Sequence, residues 1–257
     1  MTEATTVTLA DGVELPLVGF GTWQVSGRRG YDAIRLALEA GYRHIDTATM
    51  YANETEVGQA VRDSGIPRED VFITTKLPPE RAGRARDTIA ASLRALKMSY
   101  VDLWLIHWPP RGRASVSAWQ DFITARDGGL VRSIGVSNYS TAQIDELAKE
   151  TGVTPTVNQI PWSPWDHNPT RLEELRQRGV VLEGYSPFKR SDLSSATLTD
   201  IAAAHGVTPA QVVLRWHLQH GIVVIPKSVK PDRIRSNFDV FRFTLSDDEM
   251  ARVDGLA

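Results

Sequence analysis

The chain has 257 residues, 42% of them hydrophobic and 23% charged, with a net charge of −2 and no cysteine. Near-neutral charge excludes a surface built to coat nucleic acid, and the missing thiols exclude disulfides, thiolate catalysis and zinc–cysteine sites. No basic-then-apolar leader follows Met1 and no apolar run approaches the ~20 residues that span a bilayer, so a soluble, cytoplasmic protein is expected, with no membrane or nucleic-acid partner.

Residues 7–15 come first, as two short alternating segments around Asp11-Gly12, which is a hairpin signal. Eight apolar runs follow, at 17–22, 44–48, 71–76, 101–107, 133–137, 156–160, 180–185 and 222–227. Several are almost wholly apolar and rich in Val and Ile, as strands buried on both faces of a parallel sheet should be. Helical patterns separate them, among them 30–40, 85–96, 141–150, 169–177 and 209–219, with a last one over 246–256. Gly41, Gly152, Gly179 and Gly221 stand where such helices should stop. Strict strand–helix alternation implies parallel strands with right-handed crossovers. Eight units in about 250 residues favour an α/β fold closed into a single (β/α)8 TIM barrel, one domain over 1–257, with the N-terminal hairpin capping the barrel bottom. The segment 162–168 reads as an ordered loop. An open dinucleotide-binding sheet should carry Gly-x-Gly-x-x-Gly after its first strand, but Gly19-Phe20-Gly21-Thr22-Trp23-Gln24 ends in glutamine. No Gly-x-x-x-x-Gly-Lys-Ser/Thr phosphate loop is present either.

In a barrel of this kind the chemistry gathers where strands end and βα loops begin. The second run carries Asp46 and leads to Tyr51, the third ends on Lys76 and the fourth on His107. Neighbouring strands lie ~4.8 Å apart, so these side chains can converge. Together they make sense as a proton donor. A free tyrosine, with a pKa of ~10, is a poor acid near neutrality, and a nearby ammonium lowers that value. Asp46 would keep Lys76 charged, and His107 could polarise a carbonyl oxygen. Each residue also has a plain structural reading: a solvated lysine, a satisfied histidine, an Asp46 paired with Arg43 or His44, a tyrosine packed by its ring. A Schiff base on Lys76 would use much the same parts. No metal site is expected.

Gly-Tyr-Arg-His-Ile-Asp-Thr-Ala at 41–48, Ile-Thr-Thr-Lys at 73–76, Leu-Ile-His-Trp-Pro at 105–109 and Ile-Gly-Val-Ser-Asn at 134–138 resemble the aldo-keto reductase superfamily. Val-Asn-Gln at 157–159, Tyr-Ser-Pro at 185–187 and Ile-Pro-Lys-Ser at 225–228 continue the likeness, which runs from Val7 to about Asp254. The stretch Thr-Pro-Ala-Gln-Val-Val-Leu-Arg-Trp-His-Leu-Gln from Thr208 resembles bacterial 2,5-diketo-D-gluconate reductases. The resemblance implies reduction of aldehydes, ketones or dicarbonyls by NADPH, with Tyr51 as general acid, Lys76 and Asp46 assisting it, and His107 orienting the carbonyl. It implies that Ser137, Asn138 and Gln159 hold the nicotinamide carboxamide, that Tyr185 stacks on the ring, and that Ser186 and Phe188 flank the pyrophosphate. Lys227, Ser228 and Arg233 would surround the adenosine 2′-phosphate, and Asn237 would meet the adenine. Trp23, Tyr51, His107 and Trp108 would touch a small-molecule carbonyl substrate, and a monomer is expected. The other reading is a non-catalytic, cofactor-sensing subunit of the same fold.

Four features depart from the resemblance. Pro78 and Ser236 stand where relatives often carry an aromatic and a glutamate, the loop after His107 reaches its helix by about Ser115, and the sequence stops at Ala257. Because loops of that kind shape specificity, an open substrate pocket is expected.

Overall fold

The computed structural model describes residues 5–257. Strands β1 (Thr6–Thr8) and β2 (Glu14–Pro16) pair antiparallel with Val7 opposite Leu15. Their turn uses Gly12 at φ +83°, a backbone region that glycine enters without steric cost. The hairpin buries Leu9, Val13 and Leu15 and leads straight into the first barrel strand. Ala10 lies beside Gly179, just before a later strand begins, so the hairpin covers the N-terminal end of the barrel as expected.

Eight strands form the barrel: β3 (Phe20–Gly21), β4 (His44–Asp46), β5 (Phe72–Leu77), β6 (Val101–Ile106), β7 (Val131–Ser137), β8 (Val157–Pro161), β9 (Val181–Tyr185) and β10 (Val223–Ile225). They are parallel and pair in chain order. Between the first and last strands, Gly19 N donates to Val224 O at 2.9 Å and Gly21 N to Pro226 O at 3.1 Å, closing the ring. The closure needs Gly19 itself, because a Cβ there would sit 2.5 Å from His44 Nδ1. The expected first strand over 17–22 contracts to two residues because only isolated bonds tie it to β10, the third being Val224 N donating to Leu17 O at 2.9 Å. The other strands begin and end within two residues of expectation, β4 and β10 each losing two residues at the C-terminal end.

The helices are α1 (Gly27–Glu39), α2 (Glu54–Asp63), α3 (Ala85–Leu96), α4 (Ala114–Asp127), α5 (Thr141–Thr151), α6 (Pro169–Gln177), α7 (Ala196–His205), α8 (Pro209–Gln219), α9 (Pro231–Phe238) and α10 (Asp247–Asp254). Their ends follow the sequence signals. Ser140 with Gln143, Thr208 with Gln211 and Ser246 with Glu249 are capping boxes, and Gly152 closes α5 at φ +76°. Two helices, not one, fill the last crossover. Gly206 at φ +62° ends α7, and the Thr208 cap restarts the chain as α8 two residues later. Asp254 ties α10 to the barrel wall, its Oδ1 accepting from Trp216 Nε1 at 2.7 Å and hydrogen-bonding His220 Nε2 at 2.8 Å. The segment 162–168 is ordered and contains a 3₁₀ turn over Pro164–Asp166. Among the described residues no helix is long and apolar enough to cross a membrane.

Candidate active site

Asp46 ends β4, and a 3₁₀ turn over Thr49–Tyr51 then carries Tyr51 over the barrel mouth. Lys76 lies one residue before the end of β5, and His107 follows β6, its amide still donating to Leu77 O at 2.9 Å. The four side chains expected from the strand ends do come together. Lys76 Nζ donates to Asp46 Oδ1 at 2.6 Å, to Asp46 Oδ2 at 2.7 Å and to Thr47 O at 2.9 Å. The same ammonium lies 5.2 Å from the centre of the Tyr51 ring. Tyr51 and His107 meet edge to face with their ring centres 5.7 Å apart.

Burial and charge set the protons in this group. Burial works against the Lys76 ammonium, but the Asp46 charge and then Tyr51 outweigh it, holding the lysine above its ordinary pKa. A fully buried ammonium with three acceptors stays charged and is no nucleophile, which sets aside the Schiff-base reading. For Tyr51 the direction differs from the sequence expectation. Lys76 does draw its pKa down, but burial acts more strongly and Asp46 adds to it, so the phenol sits above its ordinary value. With nothing bound, Tyr51 therefore keeps its phenolic proton. Burial, reinforced by the Lys76 charge, pushes His107 down to about 3, so its imidazole is neutral. His107 Nδ1 is enclosed without a hydrogen-bond partner. A bare lone pair is tolerated there better than an N–H, which leaves the Nε2 proton as a donor for the cavity.

These groups open onto a cavity of about 640 Å³, within the usual range for small-molecule sites. Asp46, Tyr51, His107, Ser137, Asn138, Gln159, Tyr185, Ser186, Phe188 and Lys227 all line it, as do Trp23 and Trp108. Lys76 lies beneath, out of contact with it. Ser137 donates its hydroxyl to Gln159 O at 2.8 Å. Asn138 Nδ2 donates to His107 O and Ser137 Oγ, both at 3.0 Å, and its Oδ1 accepts from the Tyr185 hydroxyl at 2.9 Å. Its amide protons are thus committed to shaping the wall, and the second lone pair of Oδ1 stays free. Asn138 and Ser186 stand at φ +65° and +56°, left-handed conformations that cost a non-glycine residue energy and recur at functional sites. Ser228, Arg233 and Asn237 do not line this cavity. They belong to the segment from Lys227 into α9, where Ser228 Oγ accepts from Lys230 N at 3.1 Å, Asn237 is buried and Arg233 is exposed. Among the described residues neither Lys227 nor Arg233 has a carboxylate partner.

Sequence reasoning missed Met50, Pro187 and Lys189 on the cavity wall and, buried behind it, above all Glu183. Glu183 is fully buried in β9 and its Oε2 accepts from Gln159 Nε2 at 3.0 Å. A carboxylate inside the apolar run 180–185 was the signal that could have found it. Trp23, Met50 and Trp108 expose 49%, 55% and 47% of their surface and form an open rim.

The sequence profile of the Aldo/keto reductase family matches residues 17–257. The chain is 41% identical to the methylglyoxal reductase DkgA of Escherichia coli over 257 residues, 98% of this chain and 94% of the relative. It is 42% identical to 2,5-diketo-D-gluconic acid reductase B of a Corynebacterium over 261 residues, 100% of this chain and 94% of the relative. A crystal structure of an aldo/keto reductase from Brucella melitensis superposes with a TM-score of 0.96 at 42% identity, covering 100% of this chain and 99% of that one. The chain belongs to the aldo/keto reductase family, and it is an oxidoreductase that reduces carbonyl groups with a nicotinamide cofactor.

Proposed function

We propose that this enzyme uses NADPH to reduce small aldehydes, ketones and dicarbonyls to alcohols, with Tyr51 as the general acid. The observation that carries the reading is the meeting of Tyr51 and His107 at the cavity, ring centres 5.7 Å apart, over the buried Lys76–Asp46 pair. The bound cofactor supplies the hydride. Tyr51 holds the proton that the developing alkoxide needs, and the Lys76 ammonium stabilises the phenolate left behind. His107, neutral across the working pH range, donates from Nε2 to the carbonyl oxygen and orients it.

The donor set fits a dinucleotide. The free lone pair of Asn138 Oδ1 and the Gln159 carboxamide suit the nicotinamide amide, and Tyr185, anchored at its hydroxyl, offers a ring face to the cavity. Ser186 and Phe188 extend along the wall towards Lys227. Ser228, Arg233 and Asn237 continue from there as the adenosine end, with Lys227 and Arg233 free to meet a 2′-phosphate. The open rim of Trp23 and Trp108 supplies flat apolar surface without enclosing walls, so intrinsically reactive carbonyls should be the better substrates. The names of the Escherichia coli and Corynebacterium relatives, reductases of methylglyoxal and of 2,5-diketo-D-gluconic acid, support dicarbonyls among them.

Steady-state oxidation of NADPH and NADH with methylglyoxal and an aromatic aldehyde tests this reading, and separates an enzyme from a cofactor-sensing subunit. Charge-assisted hydrogen bonds contribute ~1.5–3 kcal/mol each, so NADPH should be preferred by more than about tenfold. Arg233→Ala should weaken NADPH far more than NADH. Equal weakening of the two would show that Arg233 does not meet the phosphate, and no turnover of any carbonyl would overturn the reading.

A further inference from the structure

The proposed reaction leaves Glu183 without a task. It lies on β9, level with Gln159 on β8 and with Val223 on β10, and is wholly shielded from solvent. Gln159 Nε2 donates to Glu183 Oε2 at 3.0 Å and to Asp46 Oδ2 at 2.8 Å. Asp46 is held by the Lys76 ammonium, so it is a carboxylate and only accepts. Gln159 must therefore turn its nitrogen inward, and with two acceptors flanking it both amide protons are committed. The carbonyl oxygen is the part of this carboxamide left for the cavity that Gln159 lines.

The second oxygen of Glu183 has no hydrogen-bond partner and lies 3.7 Å from His44 Nε2. That imidazole, already bonded to Thr74 Oγ1 at 3.0 Å, is neutral because burial and the Lys76 charge push its pKa down to about 3. Burial and then the Asp46 charge push Glu183 up to about 8, against the opposing pull of Gln159 and Lys76. The groups that face it are Asp46 and His44 from β4, Lys76 from β5, Gln159 from β8 and Tyr51 above them, while its β10 neighbour is apolar. Lys76 and Tyr51 both keep their protons to above their ordinary values, and His44 and His107 stay neutral, so none of them changes charge between pH 7 and 9.

We propose that Glu183 is a positioning residue: it fixes the Gln159 carboxamide with its oxygen towards the nicotinamide subsite and, on losing its proton, shifts the enzyme towards the oxidised cofactor. The first effect is geometric, since the oxygen so presented accepts from the amide of a nicotinamide and selects one orientation of it. The second is electrostatic. Oxidised nicotinamide is a cation and reduced nicotinamide is neutral, so a carboxylate formed beneath the subsite attracts one and not the other. The inference rests on reading the cavity as the dinucleotide site.

The test is direct binding of NADPH and of NADP⁺, followed by quenching of tryptophan fluorescence from pH 6.5 to 9, in the wild type, E183Q and E183L. The phosphates are common to both cofactors and cancel in the ratio of their dissociation constants. In the wild type Kd(NADPH)/Kd(NADP⁺) should rise by about threefold to tenfold between pH 7 and 9, the scale of one added charge nearby. In E183Q the ratio should stay flat. At pH 7 the glutamine, which still accepts from Gln159, should bind NADPH about tenfold more tightly than the leucine, which cannot. A flat ratio in the wild type, or the same rise in E183Q, overturns the electrostatic effect, and equal NADPH affinity of E183Q and E183L overturns the geometric one. If E183L does not fold, the pH series of E183Q decides alone. Failure of the wild type to bind either cofactor at any pH would instead overturn the dinucleotide reading, and this inference with it.

Discussion

At the scale of single residues, the site is governed by one buried ion pair. Lys76 and Asp46 are both removed from solvent, so each depends on the other to remain charged. Removing one partner of such a pair leaves an uncompensated buried charge and costs ~3–5 kcal/mol. Lys76→Met should therefore lose about that much stability in urea unfolding and nearly all turnover, since nothing then stabilises the phenolate that the proposed proton transfer leaves on Tyr51. Adding Asp46→Asn should restore most of the stability and none of the turnover. Recovery of both would mean that the lysine serves only the fold. Lys76 and His107 were legible in the sequence because each is a polar residue closing an apolar run, and Asp46 because it is a carboxylate carried within one. The direction of the Tyr51 shift was not, because burial depends on how the turn over Thr49–Tyr51 sits against its neighbours. Glu183 was hidden for a similar reason: its run reads as an ordinary strand until Gln159 and Asp46 are placed beside it.

At the scale of elements, close backbone approach fixes where helices stand. A Cβ at Gly58 would lie 2.0 Å from the carbonyl oxygen of Leu96, so α2 and α3 cross with no room for a side chain. Gly58→Ala, although it favours helix locally, should destabilise the protein by at least ~2 kcal/mol by forcing the helices apart. A urea midpoint equal to or above the wild type would show that α2 moves freely. This contact has no signature in the sequence, where nothing marks Gly58 as the point of a helix crossing. The helix stops at Gly41, Gly152, Gly179 and Gly221 were legible, since all four glycines adopt positive φ just beyond helix ends. The division of the last crossover into α7 and α8 was not, because Gly206 and the Thr208 cap lie within a stretch that length alone assigns to one connection.

Across the whole molecule, buried histidines link stability to pH. His44 and His107 are pushed to about 3 and His217 to about 4, chiefly by burial. Their folded pKa values lie below the unfolded value of ~6.5, so in acid the unfolded chain binds protons that the folded chain refuses. The stability they contribute is complete above about pH 6.5 and falls as pH drops towards 3–4, by ~1.4 kcal/mol per pH unit for each titrating histidine. Burial raises Glu183 and Glu54, which act in the opposite sense as pH falls towards 4.5 and soften the early part of the loss. Urea unfolding at successive pH values should show stability declining below about pH 6, and His217→Gln, if it folds, should flatten the decline. Constant stability down to pH 4 would contradict this account of the buried imidazoles.

In the proposed reaction Tyr51 delivers the proton. The most direct test of this claim is Tyr51→Phe, which removes one hydroxyl and leaves the ring, the Lys76–Asp46 pair and the cavity wall. The measurement is single-turnover oxidation of bound NADPH by excess methylglyoxal, alongside the NADPH dissociation constant of the same preparation. The dissociation constant should change by no more than about threefold, because no cofactor contact is assigned to the hydroxyl. The single-turnover rate should fall ~10²–10⁴-fold, the usual cost of losing a general acid. A rate near that of the wild type, with binding intact, would contradict the claim and place the proton donor elsewhere in the cavity.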